Sequence, residues 1–219
     1  MIAARPPIGR PAGLTVTFEE SFCACEEEAL RFLVAEHGFR RVAREVDKGS
    51  GPAGVHAQAV YQASETDAES GREVVLSIAP LLLALNLQIA STASGAYTVE
   101  ELHALDGKGP FPQRMHGLYD AMHEPGQLLA EFVRLADALQ TCGRRFFNDE
   151  PSLWDDLLAQ REQHAVVEHI KDILALAKEA FHARDWLGVV ALLAPIEARL
   201  GSRASARLAY ARRRALEES

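Results

Sequence analysis

The stretch from Gly71 to Ser91, GREVVLSIAPLLLALNLQIAS, constrains this chain more than any other. It holds two segments with apolar residues at every second position, Val74/Leu76/Ile78 and Leu85/Leu87/Ile89, joined by a short link marked by Pro80. Period-two alternation buries one face of a strand and wets the other, as antiparallel strands of an open sheet do, and leaves helices to cover the dry face. The segments on either side carry helical spacing. The pattern therefore predicts an α+β fold: a small antiparallel sheet of three to four strands covered by helices, followed by a C-terminal helical segment.

Thr17-Phe-Glu-Glu20 has the form of a capping box, so a helix starts there. Phe22, Cys25, Ala29, Phe32 and Leu33 recur along one face of it, with Glu19, Glu20, Glu26, Glu27, Glu28 and Arg31 expected mostly in solvent and Gly38 as its stop. Phe39 to Val46 reads as a first strand with a poor, Arg-rich alternation, and Val55 to Ala63 as a second. Lys48 to Gly54 and Ser64 to Gly71 read as loop and turn. A second capping box, Thr98-Val-Glu-Glu101, opens a short helix ending at Gly107, and His116 to His123 reads as a helical turn. From Gly126 to Phe147 the spacing of Leu128, Phe132, Leu135, Leu139 and Cys142 predicts the amphipathic helix that covers the sheet.

NDEPSLWDD resets the chain, and the segment after it fits either one long helix or two with a break near Gln163 to Ala165. Further on, Asp185 is placed to cap a helix, Gly201 to stop it, and an Arg-rich helix closes the sequence. Ala177, Ala180, Phe181, Asp185, Trp186 and Val189 together resemble one tetratricopeptide-like helical hairpin. A single such unit cannot bury its own apolar face, so it is expected to pack on the domain before it or on a partner. The expected organisation is a disordered lead-in over 1–13, an α+β domain over 14–150, and a helical extension over 151–219.

With 48% hydrophobic and 25% charged residues the chain reads as an ordinary globular protein, and no apolar run approaches the roughly 20 residues that span a bilayer. No membrane partner is expected. The odd count of 3 Cys argues against a disulfide framework, and with no apolar signal segment a cytoplasmic protein is expected. The net charge of −8 hides an asymmetry: six Arg against two Glu from Arg199 onward leave −12 on residues 1–198. An acidic body disfavours nucleic acid and steers a basic protein toward it.

No constellation for catalysis emerges. Cys23 and Cys25 lie two apart, on different faces of a helix, and read with Cys142 as structural. His164 and Glu168 share a face but lack a third ligand, His169 falls off it, and His116 and His123 form at most a weak acid–base pair. Gly107-Lys-Gly109 lacks the spacing of a phosphate loop, and no nucleophile elbow occurs. Arg199, Arg203 and Arg207 form a stripe that suits a solvated face paired with the acidic body. No enzyme activity, cofactor or metal is expected.

What remains is acidic surface. Glu65, Asp67 and Glu69 crowd one loop, while Asp149, Glu150, Asp155 and Asp156 crowd the start of a helix beside Trp154. Carboxylates around an aromatic anchor suit a basic protein partner, although Trp154 as core and the acids as caps is an equally simple reading. The order of elements resembles a class of bacterial immunity proteins. The features are the acidic body, the N-terminal helix EEALRFLVAEHGFRR, the strands AVYQ, REVVLSIAP and LNLQIAS, the YTVEEL helix and the LLAEFVRLADAL helix, over roughly residues 18 to 160. That resemblance implies stoichiometric neutralisation of a cognate protein toxin by covering its active site. The alternative is an adaptor whose C-terminal helices hold a peptide. Monomer and homodimer are both open.

Overall fold

Alternation becomes a sheet in which nearly every apolar residue of the pattern faces one way. The computed structural model describes residues 16–48, 55–63, 71–79, 84–114 and 117–217. Five strands, β1 (Phe39–Lys48), β2 (Val55–Ala63), β3 (Glu73–Ala79), β4 (Ala84–Ser91) and β5 (Gly95–Thr98), follow one another as an antiparallel meander in the order β1-β2-β3-β4-β5. Val74, Leu76 and Ile78 stand opposite Ile89, Leu87 and Leu85, and all six are buried. One row crosses the whole sheet, Arg41, Tyr61, Val74, Ile89 and Tyr97.

The sheet has five strands where three to four are expected, because β5 spans only four residues and cannot display a period of two. β1 reads poorly in the sequence for a different reason. Its register shifts between Arg41 and Ala43, a β-bulge, after which the inward positions pass from odd to even numbers. Phe39 and Arg41 before the bulge, then Arg44 and Val46 after it, share the helix side with Ala63, Tyr61, Ala59 and Ala57 of β2.

Both capping boxes are present, at Thr17/Glu20 and Thr98/Glu101. The first helix is not continuous: α1 (Phe18–Ala29) and α2 (Arg31–His37) meet at Leu30, whose φ of −100° and ψ of 10° leave the helical region. Ala29, Leu30, Phe32 and Leu33 are all buried, a band too wide for one straight helix to point inward. Gly38, with φ 69°, ends α2 in the left-handed conformation that glycine adopts without strain. After the sheet come α3 (Val99–Leu105), α4 (Leu118–His123), α5 (Pro125–Cys142) and the short α6 (Arg144–Phe147). The expected helix to Phe147 breaks at Gly143. Its five apolar positions are buried as expected, but α5 packs chiefly against α1, α3 and α4 and meets the sheet at β4.

α7 (Ser152–His182) is a single helix of 31 residues, without the break considered near Gln163. The chain divides into two compact units, one ending at Leu157 and one from Leu158 to Ser219. Leu153 and Leu157, in the first turns of α7, complete the core of the first unit. The second unit contains the rest of α7, then α8 (Trp186–Leu193), a 3-10 turn (Ala194–Arg199) and α9 (Ser202–Glu217). Asp185 caps α8 by accepting from the Gly188 N–H at 2.8 Å, and Pro195, which has no N–H to give, stands where α8 tightens into the 3-10 turn. Its core is Ala177, Trp186, Val189, Leu193, Leu208 and Ala211. No helix among the described residues is long and apolar enough to cross a membrane.

The lead-in over 1–13, the loop over 49–54, the acidic turn with Glu65, Asp67 and Glu69, the link over 80–83 and His116 lie outside the described residues.

Candidate functional site

The acidic start of α7 is built on two arginines. Arg72, just before β3, donates from Nη1 to the carbonyls of Phe146 and Phe147 at 2.7 and 3.0 Å, which ties down the end of α6. Its Nε lies 3.3 Å from an Asp149 carboxylate oxygen, close enough to pair but not aligned as a hydrogen bond. Asp149 takes a φ of 54°, a left-handed turn that Asp tolerates better than most residues. Arg145 of α6 donates to Glu150 at 2.9 Å, to Asp156 at 2.6 Å and to the Ser152 hydroxyl at 3.1 Å. These carboxylates hold the Arg145 guanidinium above its ordinary pKa, the hydrogen bond to Asp156 contributing most.

Trp154 is partly buried against the core, 6.0 Å from the Tyr97 ring and edge-on to Phe146 at 6.1 Å. It anchors the ledge from below. Asp155 is exposed and makes no ion pair among the described residues. The side chains of Asp149, Glu150 and Asp156 are 44–50% exposed while Arg72 and Arg145 are only 17% and 25% exposed. The cations lie underneath and the carboxylates face out. Arg72 and Arg145 thus gather Asp149, Glu150 and Asp156 into one ledge, and Trp154 and Asp155 immediately precede Asp156 at the start of α7.

A second charged cluster is not apparent from the sequence. Glu26, expected on the solvated face of its helix, is 0% exposed. It accepts from Arg44 at 2.5 Å and from the Tyr61 hydroxyl, and lies 3.4 Å from Arg41. Glu27, one residue on, accepts from the same two arginines at 2.9 and 2.7 Å, which holds its carboxyl below the usual range. Burial, followed by the hydrogen bond to Glu26, raises the Tyr61 phenol well above its ordinary value. A shallow cavity of about 420 Å³ beside this cluster is lined by Glu27, Arg31, Val34, Ala35, Arg41 and Tyr61. The signal for it in the sequence is the Arg-rich strand. Two arginines facing a core demand a carboxylate that faces it too.

Within α5, Glu131 is buried and paired with Arg134 at 2.8 Å, and Arg134 also donates to the Pro112 carbonyl and stacks over Phe111. His103 is buried edge-on to the same ring. His123, His164 and His169 are exposed, and His164 lies 3.7 Å from Glu168. Cys25 and Cys142 are buried, and each gives its thiol to a backbone carbonyl, of Pro125 and Ala138. Among the described residues no group of three His, Cys, Asp or Glu could hold a metal ion. In the second unit Arg212 pairs with Glu197 at 2.8 Å through both amino groups, and Arg207 lies over Phe181.

Comparison of the chain with protein-family models, with curated proteins and with solved structures found no match.

Proposed function

We propose that this chain is a non-catalytic protein-binding protein, and specifically an immunity protein that neutralises a cognate bacterial toxin by stoichiometric binding in the cytoplasm. The observation that carries the reading is the arrangement of the ledge, with half-exposed carboxylates of Asp149, Glu150 and Asp156 resting on largely covered arginines. Carboxylates already fixed by covered cations lose little side-chain freedom on docking, so a basic partner meets a surface prepared for it. Asp155 adds a charge that nothing in the described chain neutralises. The step from a basic partner to a toxin rests on the resemblance of the element order to immunity proteins.

The test is capture of partners from the source cells at low and moderate salt with the wild-type chain and the Asp155→Lys variant. One basic protein held in equal amount by the wild type and released by the variant supports the reading. It must also arrest growth when produced alone and be relieved when the two are produced together. Capture that ignores charge at residue 155, or a captured protein that is harmless, overturns it.

A second reading, an adaptor that holds a peptide on its C-terminal helices, draws on Leu187 of α8, an apolar side chain left 69% exposed. Leu187→Glu abolishes partner binding on that reading and leaves it intact on the first.

A further inference from the structure

β1 stands at one edge of the sheet, paired with β2 on one side only among the described residues. It is ten residues long, and Arg40 to Ala43, Glu45 and Asp47 are all exposed along it, with Val42 at 45%. An open edge of that length offers a row of backbone donors and acceptors to another strand. Two of its charges also have no counterpart at home. Arg40 faces Gln62 and Asp47 faces His56 on β2, and neither makes an ion pair among the described residues.

From this edge we infer that the chain self-associates, β1 pairing antiparallel with β1 of a second copy about a two-fold axis. A strand meeting its own copy this way sets residue i against j and j against i, so its charge pattern must complement itself. With Arg40 opposite Asp47 of the copy, two opposite-charge pairs form, one at each end. The bulge sets Val42 and Ala43 opposite Glu45 and leaves Arg44 on the axis facing Arg44 of the copy, each already neutralised by its own Glu26 and Glu27. The bulge restricts the choice of register. Arg40 before it and Asp47 after it lie on the same side of the sheet, so this register matches faces as an antiparallel pair requires. Sliding by two residues in one direction sets Arg41 against Arg44 at two places, and in the other sets Glu45 against its own copy. Opposite charges across a ladder attract and like charges repel, which selects the register with Arg40 against Asp47. The occupant of this edge is therefore a second copy, and the two sheets join into one of ten strands. This surface is separate from the acidic ledge and does not depend on the immunity reading.

The test is sedimentation velocity of the full chain over a concentration series, with three variants. The wild type moves from the 23.9 kDa monomer to twice that mass as concentration rises. Arg40→Asp and Asp47→Arg each set like charges opposite at both ends of the ladder and weaken the dimer by at least about tenfold. The double variant Arg40→Asp/Asp47→Arg swaps the charges and restores it. Both side chains are exposed and make no ion pair among the described residues, so at concentrations where all four proteins are monomeric their melting temperatures agree, which separates loss of the dimer from loss of the fold. A wild type that stays monomeric, a dimer indifferent to the single reversals, or a double variant that fails to recover overturns the inference.

Discussion

Tyr61 donates its phenolic O–H to the carboxylate of Glu26, and both side chains are sealed from solvent. A buried carboxylate is tolerated only when its charge is met, and here Arg44 reaches it at 2.5 Å from across the β-bulge. Helix α1 is thereby tied to β1 and β2 at a defined register, since a slip of one residue would turn Arg44 and Tyr61 to the other face of the sheet.

Glu26→Ala removes one of the two carboxylates that hold the largely covered Arg44, leaving it Glu27 alone, and takes from the buried Tyr61 hydroxyl its Glu26 acceptor. The expected cost is about 3 kcal/mol in urea unfolding, at the lower end for a broken buried pair because Arg44 retains some solvent. Tyr61→Phe removes only the hydroxyl and costs about 1–2 kcal/mol. The double variant costs less than the sum, because each change already removes the same hydrogen bond.

Burial lifts the Cys142 thiol to about 12 and raises the Cys25 thiol and the Tyr61 phenol from their ordinary values. These groups hold their protons longer folded than unfolded, so their contribution is complete below the unfolded pKa and is lost as pH rises toward the folded one. Unfolding free energy is thus level up to about pH 9, the ordinary thiol value, and falls above it. Tyr61→Phe and Cys142→Ala each remove up to about 1.4 kcal/mol per pH unit from the alkaline slope. Glu27 acts with the opposite sign. Hydrogen bonds from Arg44 and Arg41 lower its pKa, so its small, solvent-screened contribution is present above about pH 4.5 and lost below.

The sheet and helices were legible wherever one local rule decided the outcome. Alternation placed β3 and β4, two capping boxes placed α1 and α3, and the 3.6 period picked out the buried side of α5 residue by residue. Legibility failed where long-range pairing overrode the local pattern. Glu26 sits in a run of three Glu that looks like a wet helix face, and nothing near it in sequence announces Arg44 18 residues away. The bulge in β1 hides its alternation, and β5 is too short to have any. At the ledge, composition identified the carboxylates Asp149, Glu150 and Asp156, but Arg72 and Arg145 beneath them became visible only in three dimensions.

Arg145→Ala separates two accounts of the ledge. If net negative charge alone attracts the partner, removing a cation strengthens binding. With fixed carboxylates as the basis, the variant frees Glu150 and Asp156 and weakens binding severalfold, while stability falls by no more than about 1 kcal/mol because the pairs are half-exposed. Calorimetric titration of the captured partner reads the difference.

Asp185→Ala removes the side-chain cap on α8 and costs about 1 kcal/mol in the second unit. Gly188→Ala acts at the same cap from the other side, since its new Cβ would clash with the Asp185 carboxylate and push it off the N–H. Loss of far-UV helical signal on heating locates both effects.

The most direct measurement is the affinity and stoichiometry of the captured basic protein for the wild-type chain and for Asp155→Lys, titrated at two salt concentrations. The account predicts one partner bound per chain, tighter at low salt, and weakened at least about tenfold by the single reversal. Equal affinity for the two chains at both salt concentrations would contradict it.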